Sequence, residues 1–514
     1  MVIYGTGFAG LPTMALTAVW MFAWQPGANQ GVATLISVGL FVSVMLCFAW
    51  FMLSMPRAGA DYLFISRSVH PVLGFVSSWS YLVAVAFWAG FITYFMSTTG
   101  IPMLLATMGV ATTNVGLINL ANTIASPPWS TWLPIILVIP FIWGLSLGLL
   151  LMPVRKMFVW ARFWWWVQIA GTALAIGILL ITSQSTFASN YNTLVGKLYP
   201  GSGGFNSVIS TAATQGFVSS PGFSWIATLA IIPLYGVIFN GAFAPVITAG
   251  EVKSLKKSTY IGILGSLPIL GAISALIYYS TLHAVGQDFA TSISYLNQFN
   301  PSALPISTSP QIYLLATIAN PNVVLAFIMG ISFLAMAFWT APFNPIYGTR
   351  AMFAWSLDKL MPSWMSETNR WHTPKWTPVP VLLLSTVFLL AFVAWSTIVT
   401  LFTFISTGWM FMFVCLAAIL FPFVKKSMFN ASPVSWRAGG IPVMSIAGAI
   451  GFIFYVVMFG VYAFDPVYGS TNISIWELQA LIIGSGIVAF YAIKAYQKSH
   501  GVDVMLAFRE IPPV

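Results

Sequence analysis

PLYGVIFNGAFAPVITAGE, residues 233–251, is an apolar stretch long enough to enter a bilayer, yet Asn240 and Gly241 interrupt it near its middle. Glycine inside a helix costs about 1 kcal/mol relative to alanine. Main-chain carbonyls released by a break cannot face lipid, so a tolerated break implies neighbouring protein or a polar cavity. The stretch therefore predicts a discontinuous membrane helix beside a small polar site.

A second interrupted stretch lies at the start of the chain. Residues 4–12, YGTGFAGLP, place three glycines and a proline in an otherwise apolar segment. Paired interruptions in one membrane chain are typical of secondary carriers, whose sites lie between broken helices near the bilayer midplane. The two stretches together predict a carrier with its site between them.

The composition of the chain indicates a polytopic membrane protein. Of 514 residues, 59% are hydrophobic and 5% are charged, and the mean hydropathy is +0.90, whereas soluble domains carry about 25% charged residues. The net charge is +10, but the basic residues are scattered through short loops, which argues against a nucleic-acid partner. Cys47 and Cys415 lie in apolar segments, where we expect them to pack as small hydrophobic residues.

The sequence carries no signature of an enzyme. It contains no P-loop, no HExxH motif and no pair of catalytic carboxylates, and four histidines are few for metal chemistry. We therefore predict a protein that is not an enzyme and that binds no metal or cofactor, apart from a coupling Na⁺ or H⁺ that a carrier could use.

Apolar runs of about 20 residues predict twelve membrane helices. They cover residues 4–24, 32–54, 72–98, 132–152, 158–182, 224–250, 260–283, 321–348, 378–396, 398–422, 440–463 and 474–495. On this division nearly all Arg and Lys residues fall on one side and only Lys197 falls opposite. The positive-inside rule makes the basic loops and the C-terminus cytoplasmic. We predict a multi-pass plasma-membrane protein whose long outer loops, 99–131, 183–222 and 284–320, are partly ordered lids.

Four groups of residues resemble motifs of the amino acid-polyamine-organocation (APC) superfamily. They are residues 4–7 (YGTG) with Pro12 in helix 1; residues 55–62 (MPRAGADY), 65–67 (ISR) and 74–75 (GF) after helix 2; residues 239–241 (FNG) and 249–253 (AGEVK) in and after helix 6; and residues 349–354 (TRAMFA), 358–362 (DKLMP) and 373–374 (TP) after helix 8. The matches follow the expected order and cover most of residues 1–422.

The resemblance implies an all-α polytopic membrane protein with a LeuT-type fold, in which helices 1 to 5 and 6 to 10 form two inverted repeats and helices 1 and 6 are discontinuous. The implied divisions are 1–182 for the first repeat, 183–223 for an outer loop, 224–422 for the second repeat, and 423–514 for two peripheral helices and a short tail. The family has about three helical turns before the first break, whereas only residues 1–4 precede it here. We favour a start upstream of Met1 over a missing half-helix.

The resemblance also implies that helices 1 and 6 hold an amino acid or a related amine. Free N–H groups at the start of a half-helix suit a carboxylate, and free carbonyls at the end of one suit an ammonium. The predicted substrate site comprises Gly5, Thr6, Gly7, Phe8, Val237, Ile238, Phe239, Asn240 and Gly241. Phe239 resembles the family's aromatic residue that closes over substrate, although core packing would also explain it. The glycines could instead allow close helix packing.

The predicted helices contain almost no ionisable residue, and a cationic substrate would normally need a carboxylate partner. We therefore predict a neutral amino acid, apolar or aromatic, as the substrate. A group of ionisable residues at the cytoplasmic edge could form an inner gate: Arg57, Asp61, Arg67, Glu251, Lys253, Arg350 and Asp358. Because exposed ion pairs contribute only about 0 to 1 kcal/mol, these residues could equally be topology signals.

The coupling ion is left open by the sequence. Ser332 and Thr340 on helix 8 could coordinate Na⁺ with helix 1 carbonyls, although hydroxyls in membrane helices usually bond to their own backbone. His283 could carry a proton, and substrate exchange would need no ion.

The rival functions are a carrier of amines or other organocations, a channel with a continuous polar pore, and a transport-like sensor. The expected partners are a small amino acid and the lipid bilayer, and the oligomeric state stays open.

Overall fold

The computed structural model describes residues 2–8, 10–57, 59–251, 254–306, 308–468 and 471–508, with the backbone alone for residues 396–406. Within these ranges eleven helices are long and apolar enough to cross a membrane. A further apolar helix, Pro378–Ala394, has 17 residues, which is at the lower limit for a crossing. We number the twelve helices as spans 1 to 12 in chain order.

The spans are Val2–Trp24, Gln30–Ser54, Pro71–Ala111, Trp129–Leu151, Val154–Ile181, Trp225–Glu251, Leu255–Val285, Val323–Leu357, Pro378–Ala394, Ser396–Val424, Val443–Phe464 and Ile473–Ser499. The described strands are Arg437–Ala438 and Ile441–Pro442, which pair in one short hairpin. The prediction of an all-α polytopic membrane protein is confirmed. The division into two repeats, an outer loop and two peripheral helices stays a prediction.

The long connections between spans are mostly helical. They contain Val115–Ala125, Gln184–Leu198, Phe205–Thr214, Gln287–Phe299 and Ile312–Ala319. Asn114 and Ser183 begin two of these helices by accepting a main-chain N–H with their side chains, which satisfies a donor that the first turn leaves open. The first predicted loop is shorter than expected because span 3 continues through a π-helical turn, Met96–Gly100, into Ile101–Ala111.

The other connections contain the α-helices Ala60–Ser68 and Lys426–Ala431 and the 3₁₀ turns Ser363–Ser366 and Pro466–Tyr468. A further 3₁₀ turn, Pro301–Ala303, lies between the helices Gln287–Phe299 and Ile312–Ala319, and Val504–Phe508 follows span 12. We call the end of the bundle that carries Ala60–Ser68 and most of the arginines and lysines the basic end.

Span 1 is interrupted, as predicted, but later in the chain than expected. It consists of the α-helices Val2–Gly7 and Leu11–Trp24. Gly10 has a φ of 77°, a left-handed conformation that glycine adopts without steric cost. Pro12 lies in the first turn of the second helix, where its missing N–H is not needed. The chain therefore leaves the helix between Gly7 and Leu11 rather than at Gly5 and Gly7.

Span 6 changes its helical form at the predicted position. It is α-helical over Ile232–Phe239 and 3₁₀-helical over Asn240–Glu251, with Pro245 inside the second part and a kink at Thr248, where φ is −109° and ψ is 25°. Even the part before the kink is longer than the three or four residues usual for a 3₁₀ helix, and such a stretch often marks a functional hinge. The rings of Phe8 and Phe243 lie 5.8 Å apart between centroids, so the two interruptions adjoin each other.

Candidate functional site

A cavity of about 600 Å³ lies where spans 1, 3, 6 and 8 meet. Phe8, Asn240 and Gly241 line it beside the two helix interruptions, while Gln298 and Val467 line it near the opposite end of the bundle from the basic end. A pocket that combines apolar walls with a few polar groups at discontinuous helices is typical of a small-molecule site.

The polar groups of the cavity are amides and hydroxyls. Tyr455 donates a hydrogen bond of 2.6 Å to Oδ1 of Asn240, which leaves the Asn240 NH₂ group as a donor. The side-chain NH₂ of Asn344 donates to the main-chain oxygen of Thr340 at 2.8 Å, which leaves the Asn344 Oδ1 atom as an acceptor. Among the described residues that line the cavity, none is Asp, Glu, Lys, Arg or His.

Aromatic side chains form most of the remaining wall. Trp20 and Trp24 stack with their ring centroids 5.5 Å apart and their planes at 6°. The other aromatic lining residues are Phe8, Tyr81, Phe87, Trp88, Phe91, Phe95 and Phe299. Such a wall offers contact area to an apolar or aromatic side chain and no counter-charge to an ionised one.

The structure brings part of the predicted substrate site to the cavity. Phe8, Val237, Asn240 and Gly241 line it, whereas Gly5, Thr6, Gly7, Ile238 and Phe239 do not. Phe239 is fully buried and packs against Phe41 and Tyr235, with ring centroids 5.5 Å from each. In this structure Phe239 therefore belongs to the core rather than to a cover over the cavity.

The N–H groups expected to receive a carboxylate are engaged within the protein. Thr6 and Gly7 lie inside the helix Val2–Gly7, and the N–H of Phe8 donates to the Tyr4 carbonyl at 3.1 Å. At the second half-helix, the N–H of Leu11 donates to a side-chain oxygen of Gln168 at 3.0 Å. The positive end of the helix Leu11–Trp24 still faces this region.

Gln168 on span 5 links spans 1 and 8 beside Ser332, one of the two predicted Na⁺ ligands. Besides accepting from span 1, its NH₂ group approaches the Ala335 carbonyl of span 8 at 3.5 Å, and its main-chain oxygen accepts from Ser332 at 2.9 Å. Thr340 donates to the Met336 carbonyl at 2.7 Å. Ser332 and Thr340 are about 12 Å apart along the helix, so the structure does not bring the two predicted Na⁺ ligands together.

Two ion pairs tie the basic end together. Nη2 of Arg67 lies 2.9 Å from both carboxylate oxygens of Asp358, which also accepts from Tyr62 at 2.5 Å. Arg350 on span 8 pairs with Glu251 at the end of span 6, at 3.2 Å. These contacts close the bundle below the cavity, which favours the gate interpretation for four of the predicted residues.

The Arg67–Asp358 pair differs from the exposed pair that the sequence suggested. The two side chains are 2% and 4% exposed. The tail residue Phe508 covers the Arg67 guanidinium, which lies 4.7 Å from the Phe508 ring centroid. Removing one partner of a buried pair leaves an uncompensated charge.

The other predicted gate residues have separate settings. Arg57 donates to the neighbouring Pro56 carbonyl at 3.3 Å. Asp61 is buried and accepts hydrogen bonds from Ser77, at 2.7 Å, and from Tyr347. Lys253 lies outside the described residues.

Sequence reasoning missed Tyr81, Gln168, Met336 and Asn344, which line the cavity or hold its frame. Two of these residues have a feature in the sequence that could have indicated a site. Gln168 is the amide side chain within the apolar span 5, and Asn344 stands between Pro342 and Pro345 in span 8. A polar residue in an apolar membrane segment is a reason to expect a site. Tyr81 and Met336 carry no such signal, because which face of a helix meets a cavity depends on packing.

The chain is similar to one characterised transporter over nearly its whole length. The glutamate/serine transporter AimA of Bacillus subtilis (strain 168) is 22% identical, and the match covers 94% of this chain and 80% of that protein. This match confirms the predicted resemblance to amino acid permeases of the APC superfamily. No protein-family model matches the sequence. The cavity lies between the discontinuous spans 1 and 6, where the resemblance predicted the substrate site.

Proposed function

We propose that the protein is a secondary transporter that moves a neutral amino acid, apolar or aromatic, across the plasma membrane by alternating access, as a symporter or an exchanger. The observation that supports this proposal is the cavity of about 600 Å³ at the two helix interruptions, with amides and aromatic rings but no charged side chain among its described lining residues. The similarity to an amino acid transporter supports the substrate class.

The polar groups suit the two poles of a zwitterion. The NH₂ group of Asn240 and the positive end of the helix Leu11–Trp24 favour the carboxylate. The Asn344 Oδ1 atom favours the ammonium. Neither pole needs a charged side chain, because hydrogen bonds to ionised groups contribute about twice as much as those between neutral groups.

The same lining disfavours charged side chains on the substrate. AimA is a glutamate/serine transporter, and of those two amino acids serine is the neutral one. A second carboxylate, as in glutamate, would lack a basic partner here, and an isolated charge is costly in a low-dielectric site. An amine without a carboxylate would lack an acidic partner for the same reason.

Closure at the basic end fits one state of an alternating cycle. The cavity reaches the opposite end, while Arg67–Asp358 and Arg350–Glu251 hold the connecting helix Ala60–Ser68 and spans 6 and 8 together below it. If the basic end is cytoplasmic, as the positive-inside rule predicts, this is the outward-facing state.

Uptake into proteoliposomes tests the proposal. Purified protein is assayed with labelled leucine, phenylalanine, serine, glutamate and putrescine, with and without Na⁺ and a pH gradient. We expect accumulation or exchange of the neutral amino acids and neither glutamate nor putrescine transport. Transport of glutamate or putrescine alone would overturn the substrate class, and ion currents without amino acid movement would overturn the carrier function.

A further inference from the structure

Asp61 is a buried carboxylate at the junction of three elements. It lies in the first turn of the helix Ala60–Ser68 and is 0% exposed. One of its oxygens accepts from Ser77 on span 3, at 2.7 Å, and the other accepts from Tyr347 on span 8. The carboxylate therefore ties a connecting helix to two spans at the closed basic end.

Asp61 has no salt bridge among the described residues, unlike the other buried carboxylate at this end. Arg67 pairs with Asp358, and Arg350 pairs with Glu251. The ionisable groups on the elements around Asp61 are Tyr62 and Arg67 on its own helix; Cys47 on span 2 and Arg57 after it; His70 before span 3 and Tyr81 and Tyr94 within it; Tyr235 and Glu251 on span 6; Tyr347 and Arg350 on span 8 and Asp358 after it; and Cys415 on span 10. An ionised carboxylate that is buried without a cation is costly.

Two tyrosine side chains, Tyr347 and Tyr81, lie between Asp61 and the cavity. Tyr347, which donates to Asp61, has its ring 4.5 Å from that of Tyr81 in an edge-to-face contact. Tyr81 lines the cavity. The rings of these two tyrosines therefore separate the carboxylate from the cavity.

Burial raises the pKa of the Asp61 carboxyl to about 7, and it outweighs the hydrogen bonds from Tyr347, Ser77 and the main chain, which act in the opposite direction. A carboxyl with this pKa gains and loses a proton near neutral pH. If the basic end opened and water reached Asp61, its pKa would return toward about 4.

We propose that Asp61 is the proton-binding site that couples transport to a pH gradient, which rests on the proposed amino acid transport. In the state described here, a proton from cavity water converts the Asp61 carboxylate to the carboxylic acid. The charge-assisted hydrogen bonds from Tyr347 and Ser77 weaken, and the basic end opens more readily. Hydration then returns the proton to water at the basic end, so one proton crosses with the substrate.

The test compares exchange with gradient-driven accumulation in Na⁺-free proteoliposomes. The probe is the neutral amino acid that gives the fastest exchange in the panel above. Exchange with the same amino acid inside the vesicle needs no proton flux, whereas accumulation driven by an alkaline lumen does. For the wild type we expect both exchange and accumulation. Adding substrate should acidify the lumen, and the rate of accumulation should rise as the outer pH falls through about 7.

Asp61→Asn removes the proton site while keeping the shape of the side chain. We expect this variant to retain exchange and to lose at least tenfold in pH-driven accumulation. Asp288→Asn is the matched control. Asp288 lies in the connection between spans 7 and 8, and its carboxylate accepts a hydrogen bond from Ser219. We expect this variant to accumulate substrate like the wild type.

Tyr347→Phe gives a second readout that does not depend on how well Asp61→Asn folds. Its hydroxyl stabilises the ionised carboxylate, so its removal raises the pKa of Asp61 and moves the pH midpoint of accumulation upward.

A wild type that exchanges substrate without responding to the pH gradient would overturn the proton site alone. Equal loss of exchange and accumulation in Asp61→Asn, with an unchanged midpoint in Tyr347→Phe, would do the same. A wild type that neither exchanges nor accumulates any amino acid would instead overturn the proposed transport function.

Discussion

Arg67 and Asp358 show how burial changes the energetic role of an ion pair. Their side chains are 2% and 4% exposed, whereas those of Lys375 and Glu367, 3.7 Å apart, are 48% and 53% exposed. A buried charge that loses its partner costs about 3–5 kcal/mol, because the remaining charge stays out of water. An exposed pair contributes about 0 to 1 kcal/mol.

We therefore predict that Asp358→Asn strongly destabilises the protein and that Glu367→Gln does not. Thermal unfolding of the purified variants in one detergent should show a large fall in melting temperature for the first and a change within error for the second. Similar shifts in the two variants would mean that the buried pair contributes no more than a surface pair.

Among the predicted site residues, Asn240 is the one whose side chain is oriented toward a proposed role in binding the substrate. Its amide lines the cavity, and Tyr455 fixes its orientation from span 11. A hydrogen bond to a charged group contributes about 1.5–3 kcal/mol, which corresponds to about 10- to 100-fold in affinity. We predict that Asn240→Ala raises the KM for a neutral amino acid by this factor.

Tyr455→Phe is the matched variant for Asn240. It keeps the amide and removes the hydroxyl that orients it, so we expect a smaller rise in KM, measured in the same uptake assay. An unchanged KM in Asn240→Ala would show that the substrate carboxylate lies elsewhere in the cavity.

The broken helices show what the sequence could and could not predict at the scale of an element. Glycine content indicated an interruption in span 1, but Gly5 and Gly7 lie in the helix and serve close packing: a Cβ atom on Gly7 would come within 2.7 Å of Trp339. The residue that breaks the helix is Gly10, with a φ of 77°. Counting glycines cannot separate a packing glycine from one with positive φ, because only the conformation distinguishes them.

In span 6 the sequence predicted correctly where the helix changes form. It did not predict which side chains face the cavity. The helical form changes at Asn240, as expected from the polar residue and the glycine. Phe239 and Asn240 are neighbours in sequence, yet one packs in the core and the other lines the cavity. Successive residues of a helix point in different directions, and an apolar membrane sequence has no polar face from which to assign them.

Gly10 provides a test of the span 1 interruption. A Cβ atom there would lie 2.6 Å from the Met336 Cγ atom. Gly10 has φ 77° and ψ 125°, a backbone conformation that other residues rarely adopt and that costs them about 1–3 kcal/mol. We predict that Gly10→Ala lowers uptake about tenfold by distorting the junction of spans 1 and 8. Gly39→Ala is the control, because Gly39 lies in the helical span 2 with no neighbouring atom within 4 Å of the added group. Equal uptake in the two variants would contradict a strained break at Gly10.

At the scale of the whole molecule, hydropathy was enough to predict the number of spans. Eleven of the twelve predicted helices meet the length and hydropathy of a membrane span in the described residues, and Pro378–Ala394 is the short twelfth. The helices in the long connections were harder to predict, because a polar helix such as Gln184–Leu198 is specified by its cap at Ser183 and its packing rather than by hydropathy.

Alternating access makes a prediction about the whole bundle that labelling can check. Both native cysteines, Cys47 and Cys415, are fully buried, so a water-soluble maleimide should report on an introduced cysteine. Val467→Cys places the thiol at the cavity wall, and Thr349→Cys places it in the closed basic end, where Thr349 is 0% exposed. We predict that the transported amino acid slows labelling at position 467 and speeds it at position 349, because one end closes as the other opens. A channel with a continuous pore would label at both positions without substrate, and an unchanged ratio of the two rates on adding substrate would contradict the carrier cycle.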